Sequence, residues 1–477
     1  MTNVCKYCDE EFDSRNAVFR HLRSNKKCFG LATESSRDNT VGNNSSILKL
    51  EKRKVAVQFG YHVLNKDNTT GGNEVAAEVI RTSFFKALRA LYPSSPVEEE
   101  EGESTFTLAS AARLRHPSLM QETTCSALSD VAGINYKGGP KDIDGSSLVQ
   151  QMQHIVQKDN GELLCVKVLN VESLMVSTKF HAEKSCSQRS YQYMIQMKRL
   201  DDSQETQEWV RQKLDAESGH QIQKCGTPIS IVKFKKALKL VESCEVTKAS
   251  SSVVSSAGRF GKLWQKERKP FHNFCDPSLG LGGMASSSNE HVCRSVDKAR
   301  LCGFIIDDEN KDEAFTVIEF RGDGFAAQQI RRMVASAIAI ANGWLPLEYF
   351  DVATRSDTTI ETPIAPSGLL YLSSVRYHFV DLVKGSVLFE MNDGNKHVDD
   401  WLASLQIRLL RAREETSEEE NTWLKELKGI SSPRIRLELE QIVLNDTLLK
   451  KEQILGKNDE KSMERPVEED SIFSAAP

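Results

Sequence analysis

No apolar run in this 477-residue chain reaches the roughly 18 residues that cross a bilayer, so the sequence predicts no membrane span. The N-terminus lacks the apolar core of a secretory leader, and Asp9, Glu10, Glu11 and Asp13 break the pattern of a transit peptide. Positive charge is not in excess either. The 62 Lys and Arg stand against 67 Asp and Glu, a formal net charge of −5. That balance does not announce a nucleic-acid binder, although acidic segments can mask a basic cleft. The eleven cysteines are scattered and have no secretory setting, which favours thiols or metal ligands over disulfides. What remains is ordinary for a soluble globular chain: 39% hydrophobic and 27% charged residues, with length for two or three domains and a large core.

The first 30 residues carry a metal-binding pattern. Cys5 and Cys8 form a CxxC pair, and His21 and Cys28 follow. Phe12 and Val18 sit where a small ββα finger puts its two core residues. Two thiolates on a knuckle and two ligands from a helix make a closed tetrahedral site, so we expect structural Zn2+ on Cys5, Cys8, His21 and Cys28, with no part in catalysis. Arg15, Arg20, Arg23, Lys26 and Lys27 decorate this module and suit a nucleic-acid backbone. Residues 31–53 are rich in Ser, Asn and Thr and read as a flexible linker.

Further along, periodicity marks the elements. Lys54–Tyr61 alternates as a strand, and Glu74–Leu91 repeats at helical spacing. In Phe315–Trp344 a strand around Val317–Arg321 is broken by Gly322-Asp323-Gly324. A helix then begins at Ala326, with Ile330, Met333, Val334, Ala337, Ile338 and Ala341 inward and Gly343 as its stop. Arg331 and Arg332 near its start oppose the helix dipole and call for an anionic partner, either a carboxylate or an RNA phosphate. Alternation places Arg189, Tyr191 and Tyr193 on one face of another strand. Arg259–Arg268 mixes cations, Lys262 and Arg268 among them, with Phe260 and Trp264, a composition that suits an RNA-facing surface or a partly buried helix.

Four separated motifs carry a resemblance over about residues 54–380. They are Cys125–Gly138, Val176–Ile195 with Arg189, Tyr191 and Tyr193, Phe271-His272-Asn273-Phe274, and the run from Phe320 to Tyr377 that includes Gln329-Ile330-Arg331 and Ala365-Pro366. In this order they resemble the TruA family of tRNA pseudouridine synthases, in its eukaryotic style. The resemblance implies an α+β pseudouridine synthase fold: two RRM-like halves, 54–200 and 201–383, whose antiparallel sheets meet at a central cleft. The finger precedes them, and a helical, partly disordered extension, 384–477, follows.

The resemblance also implies chemistry. Asp130 takes the place of the nucleophilic Asp, Tyr191 that of the active-site Tyr, and Arg331 that of the Arg pairing with the carboxylate. Arg189, Lys262, Arg268 and Arg332 are expected at the RNA. Two registers stay open around the acid. Ser129-Asp130 matches the family's Thr-Asp, with Leu128 where the family has Arg. Alternatively Met120-Gln121-Glu122 occupies the motif, and Glu122 is the carboxylate. The reaction implied is isomerisation of uridine in RNA, tRNA foremost, without an organic cofactor. The compartment expected is the nucleus, with cytoplasm and mitochondrion as alternatives, and the chain is a monomer or homodimer. A catalytically impaired RNA-binding paralogue is the competing reading, because the motif around Asp130 departs from the family. A protein whose finger carries the main function is a third.

Overall fold

The structure is a computed structural model. It describes residues 3–4, 10–12, 21, 50–64, 72–99, 106–110, 124–140, 143–159, 164–174, 180–201, 203–217, 227–243, 268–276, 292–306, 313–355, 359–377, 396–414, 417–429, 441 and 444. The chain forms two compact units, Met1–Glu51 and Lys52–Pro477. In the first, β1 (Asn3–Val4) pairs antiparallel with β2 (Glu11–Phe12). His21 is helical, and its Nδ1 lies 3.3 Å from Glu10 Oε2.

The second unit is α+β. Its strands are β3 (Lys52–Leu64), β4 (Val97–Glu99), β5 (Phe106–Leu108), β6 (Thr124–Gly138), β7 (Leu164–Leu174) and β8 (Gln188–Gln196), then β9 (Lys269–Pro270), β10 (Cys293–Arg294), β11 (Val296–Ile306), β12 (Ala314–Gly322) and β13 (Leu370–Arg376). The helices are α1 (Gly72–Leu91), α2 (Gly145–Asp159), α3 (Met197–Leu200), α4 (Gln204–Glu217), α5 (Ile229–Val241), α6 (Gln329–Ala341), α7 (Tyr349–Ala353), α8 (Lys396–Glu414) and α9 (Ser417–Gly429). The main sheet has nine strands and runs β11-β12-β8-β13-β6-β3-β7, with β4 and β5 added on β6. Every pairing in it is antiparallel except that of β13 with β6, so the sheet is mixed where purely antiparallel sheets were expected. β8 pairs with β12 and β13, not with β3, β6 or β7.

Local pattern explains most of these elements. α6 buries Ile330, Met333, Val334, Ala337, Ile338 and Ala341, as its 3.6-residue period predicts, and also Gln329, Ala335, Ser336, Ala339 and Ile340, so only Arg331 and Arg332 keep part of their surface. Each large side chain fully removed from water contributes roughly 1.5–3 kcal/mol. The helix starts at Gln329 rather than Ala326, because Gln328 adopts a left-handed conformation at φ 63° and delays the first turn. The motif Cys125–Gly138 contains Gly133 and Gly138 but no turn between them. It is part of the 15-residue strand β6. Gly133 serves close approach there, since a Cβ would lie 2.7 Å from Thr107 Oγ1 on β5.

One row of polar residues crosses the sheet on a single face. The register aligns Cys165, His62, Ser126, Tyr371, Gln192, Glu319 and Arg300, one from each strand of the run β7 to β11 and none from β4 or β5. Tyr191 adjoins Gln192 in β8 and therefore points to the opposite face. Helix α8, from the extension beyond residue 384, lies over the polar row. Its Trp401 donates Nε1–H to Leu128 O at 3.2 Å, and its Gln406 hydrogen-bonds Tyr371. Trp401, Leu405 and Leu409 are buried there. Among the described residues no helix is long and apolar enough to cross a membrane.

Candidate functional site

A cleft of about 290 Å³ opens on the face of the sheet opposite the polar row. Strand β8 sends Arg189 and Tyr191 into it, and the start of α6 sends Arg331. Ser110, Arg294, Asp323 and Phe325 also line it. Period-2 geometry places Arg189 and Tyr191 side by side on one strand face. The loop after β12 brings Phe325 against Tyr191, edge to face, with ring centroids 5.6 Å apart. Tyr191 is only 4% exposed, so this packing fixes its ring at the cleft wall.

The cations are held by backbone. Arg189 donates Nε–H and Nη2–H to Ala109 O at 3.1 and 3.0 Å, and Nη2–H also to Glu183 O at 3.1 Å. Arg331 donates Nε–H to Ala365 O at 2.6 Å, and Ala365 N–H returns a bond to Arg331 O. Tyr193 ties the same loop by donating its hydroxyl to Pro366 O at 3.0 Å. The expected opposition of Arg332 to the helix dipole is met indirectly. Arg332 donates to Thr362 O and to Gln328 Oε1, while Gln328 Nε2–H donates to Asp276 Oδ2 at 2.7 Å. Gln328 thus joins the cation to a carboxylate, and these bonds hold its left-handed backbone in place. Arg332 is not among the residues lining the cleft.

The acids are arranged differently from expectation. Asp323 lines the cleft, forms an ion pair with Arg268 at 2.7 Å and accepts Ser295 N–H at 3.0 Å. Asp130 is fully buried within β6 and is not among the lining residues. Its Oδ1 accepts Val131 N–H at 2.8 Å, and Tyr61 donates its hydroxyl to Oδ2 across a long 3.5 Å. Ser110 hydrogen-bonds it through both hydroxyl and backbone. Burial pushes the Asp130 carboxyl up to about 6, against the pull of those bonds and of the Arg189 charge. The Arg189 charge acts on Asp130, and Arg331 donates to the Ala365 loop.

Cys5, Cys8, Cys28, Lys262 and Glu122 lie outside the described residues. Among the described residues no group of three or more His, Cys, Asp or Glu could hold a metal ion. Sequence reasoning did not name Ser110, Asp323 and Phe325 as site residues. The Gly-Asp-Gly break after β12 was the available signal for the last two, and nothing local marked Ser110.

Comparison with known proteins adds to this geometry. Residues 285–378 match the model of a family described as tRNA pseudouridine synthase. That stretch contains Arg294, Asp323, Phe325, Arg331 and the Ala365 loop, but not Asp130 or Tyr191. The chain is similar to tRNA pseudouridine synthase A of Streptococcus pneumoniae strains Hungary19A-6 and CGSP14, at 33% identity over 94 residues. The aligned part is 20% of this chain and 35% of each relative, so the chain matches about a third of their length.

Proposed function

We propose that this protein isomerises uridine to pseudouridine within folded RNA, tRNA foremost, and that the target base enters the cleft between β8 and α6. The observation that carries the reading is the convergence of Arg189 and Tyr191 with Arg331 in one cleft, although the first two lie outside the matched stretch 285–378. The uridine must leave its stack to reach such a site. Tyr191, held by Phe325, offers a ring for the uracil and a hydroxyl towards the sugar. Arg189 and Arg331 supply positive charge for the phosphates. In the reaction the N1–C1′ bond breaks, the uracil turns, C5 bonds to C1′, and the C5 proton leaves as N1 gains one. No organic cofactor takes part. Asp130 is the proposed carboxylate, attacking the sugar or uracil or stabilising cationic character at C1′. For that it has to exchange its bonds with Ser110 for the substrate. The N-terminal Cys5, Cys8, His21 and Cys28 hold structural zinc in this proposal, and the setting is nuclear, with the chain a monomer or homodimer.

A second reading is favoured by one observation: Asp130 is fully buried beneath Ser110. On it the protein binds RNA in the same cleft without turnover. Incubating purified protein with uridine-containing tRNA and scoring pseudouridine separates the two. Product that falls to background in Asp130→Ala, with tRNA binding kept, supports the first reading. Undiminished product in that variant removes Asp130 from the chemistry, and Glu122→Ala then tests the other register. Tight binding with no product from the wild type selects the second reading.

A further inference from the structure

The outer face of α5 takes no part in the cleft. Over its 13 residues, ISIVKFKKALKLV, it carries Lys233, Lys235, Lys236 and Lys239 and no carboxylate. The direction of these side chains is set by what lies on the other side. Ser230, Ile231, Phe234, Ala237, Leu238 and Val241 are buried, and α5 packs on α6, α7 and β11. All four lysines are left exposed. An exposed helix face ordinarily alternates charge, because opposite charges three or four apart support the helix and like charges oppose it. Here Lys233 with Lys236, Lys236 with Lys239, and Lys235 with Lys239 are all like pairs at those spacings. Lys239 meets Glu242, and Lys235 sits over the Trp209 ring at 5.8 Å. Lys213 of α4 approaches the same ring at 5.8 Å and adds a further cation to the patch.

We propose that this face of α5, with Lys213, is a second docking surface for the phosphate backbone of the folded RNA whose uridine enters the cleft. The proposal rests on the RNA reading given above. Charge complementarity names the partner: a cationic face on a chain of net charge −5 is selective for a polyanion. The surface has the reach of a backbone segment. Lys233 to Lys239 spans about 9 Å at 1.5 Å per residue, and successive phosphates on one strand advance about 3.4 Å along a duplex. Because α5 packs directly on α6, which carries Arg331, the patch and the cleft are joined through one helix pair. A large RNA would be gripped away from its target base, and a short one would not reach.

The test compares two RNAs on the full-length protein: intact tRNA and a short stem-loop holding the same uridine. In K233E/K236E, tRNA binding weakens on the order of tenfold, and the slope of log affinity against log salt falls by about 2, close to one per lysine. Stem-loop binding and the melting temperature stay unchanged. A control, K425E/K428E, makes the same charge change on exposed α9 positions and leaves tRNA affinity intact. Unchanged tRNA affinity in K233E/K236E overturns the proposal, as does an equal loss in the control or a wild type that does not bind tRNA. Binding is read without turnover, so failure to form pseudouridine leaves this result standing and bears on the catalytic reading alone.

Discussion

Ser110 lines the cleft and at the same time hydrogen-bonds the buried Asp130 through both its hydroxyl and its backbone. Ser110 thus touches both the candidate carboxylate and the space a substrate would occupy. Arg189 reinforces the arrangement by clamping Ala109 O with two N–H groups.

Asp130 should make the fold less stable as pH rises. Its folded carboxyl is raised from the ordinary 3.8 to about 6 by burial. The native state therefore holds this proton more tightly than the unfolded chain. The resulting stability is full below about pH 4 and is lost as pH rises through 6, by roughly 3 kcal/mol at most. Asp130→Asn should lack this step. Thermal melts from pH 4 to 8 measure it, and a wild-type profile with no such component would count against the burial described.

His62 should act with the opposite sign. Burial, followed by the nearby Arg408 charge, lowers its imidazole from 6.5 to about 4. Its native state disfavours the proton, so its contribution is present above pH 6.5 and is lost as pH falls towards 4. His62 Nδ1 lies 2.8 Å from Ser126 Oγ, and His62→Asn should flatten the acid limb of the same melt series. An acid limb as steep in the variant as in the wild type would contradict this.

Tyr191→Phe keeps the ring against Phe325 and removes only the hydroxyl. On the isomerase reading it lowers kcat by about 10²-fold or more while tRNA affinity holds, because a positioned acid–base group is worth about that much. Tyr191→Ala also removes the wall of the cleft and should weaken binding. Single-turnover kinetics alongside filter binding resolve the two, and a Tyr191→Phe variant as active as the wild type, with loss confined to Tyr191→Ala, would argue for a packing role alone.

Gly60→Ala should detach α8 from the sheet. A Cβ there would run into the Trp401 indole and lie 2.7 Å from Leu128 O. Overpacking of this kind costs about 1–3 kcal/mol or more, and Trp401→Ala about 3–5 kcal/mol. Faster amide exchange in 396–414 for both variants, without loss of the β8–β12 pairing, is the expected signature.

Chelation tests the N-terminal unit. Full-length protein should release one zinc per chain on treatment with a chelator, and Cys5→Ser should bind none. Lys52–Pro477 is a compact unit of its own, so modification of a short stem-loop should survive removal of residues 1–51. A metal-free wild type would dismiss the zinc reading.

Local rules of the chain determined a good deal. Alternation placed Arg189 and Tyr191 together on one strand, and a 3.6-residue period marked α6 as a helix with a buried apolar stripe, because both repeats follow from backbone geometry within a few residues; that the helix is buried on its other faces too was not in the period. What tertiary structure alone decided is long-range. Strand order put β6 beside β13 and sank Asp130 in the middle of a sheet. It carried Trp401 onto Leu128, 273 residues earlier, so that α8 covers the polar row of the sheet. It also set Ser110 over the carboxylate and brought Asp323 to the cleft. No local periodicity encodes such meetings, since they depend on which distant surfaces bury each other most completely when the whole chain closes.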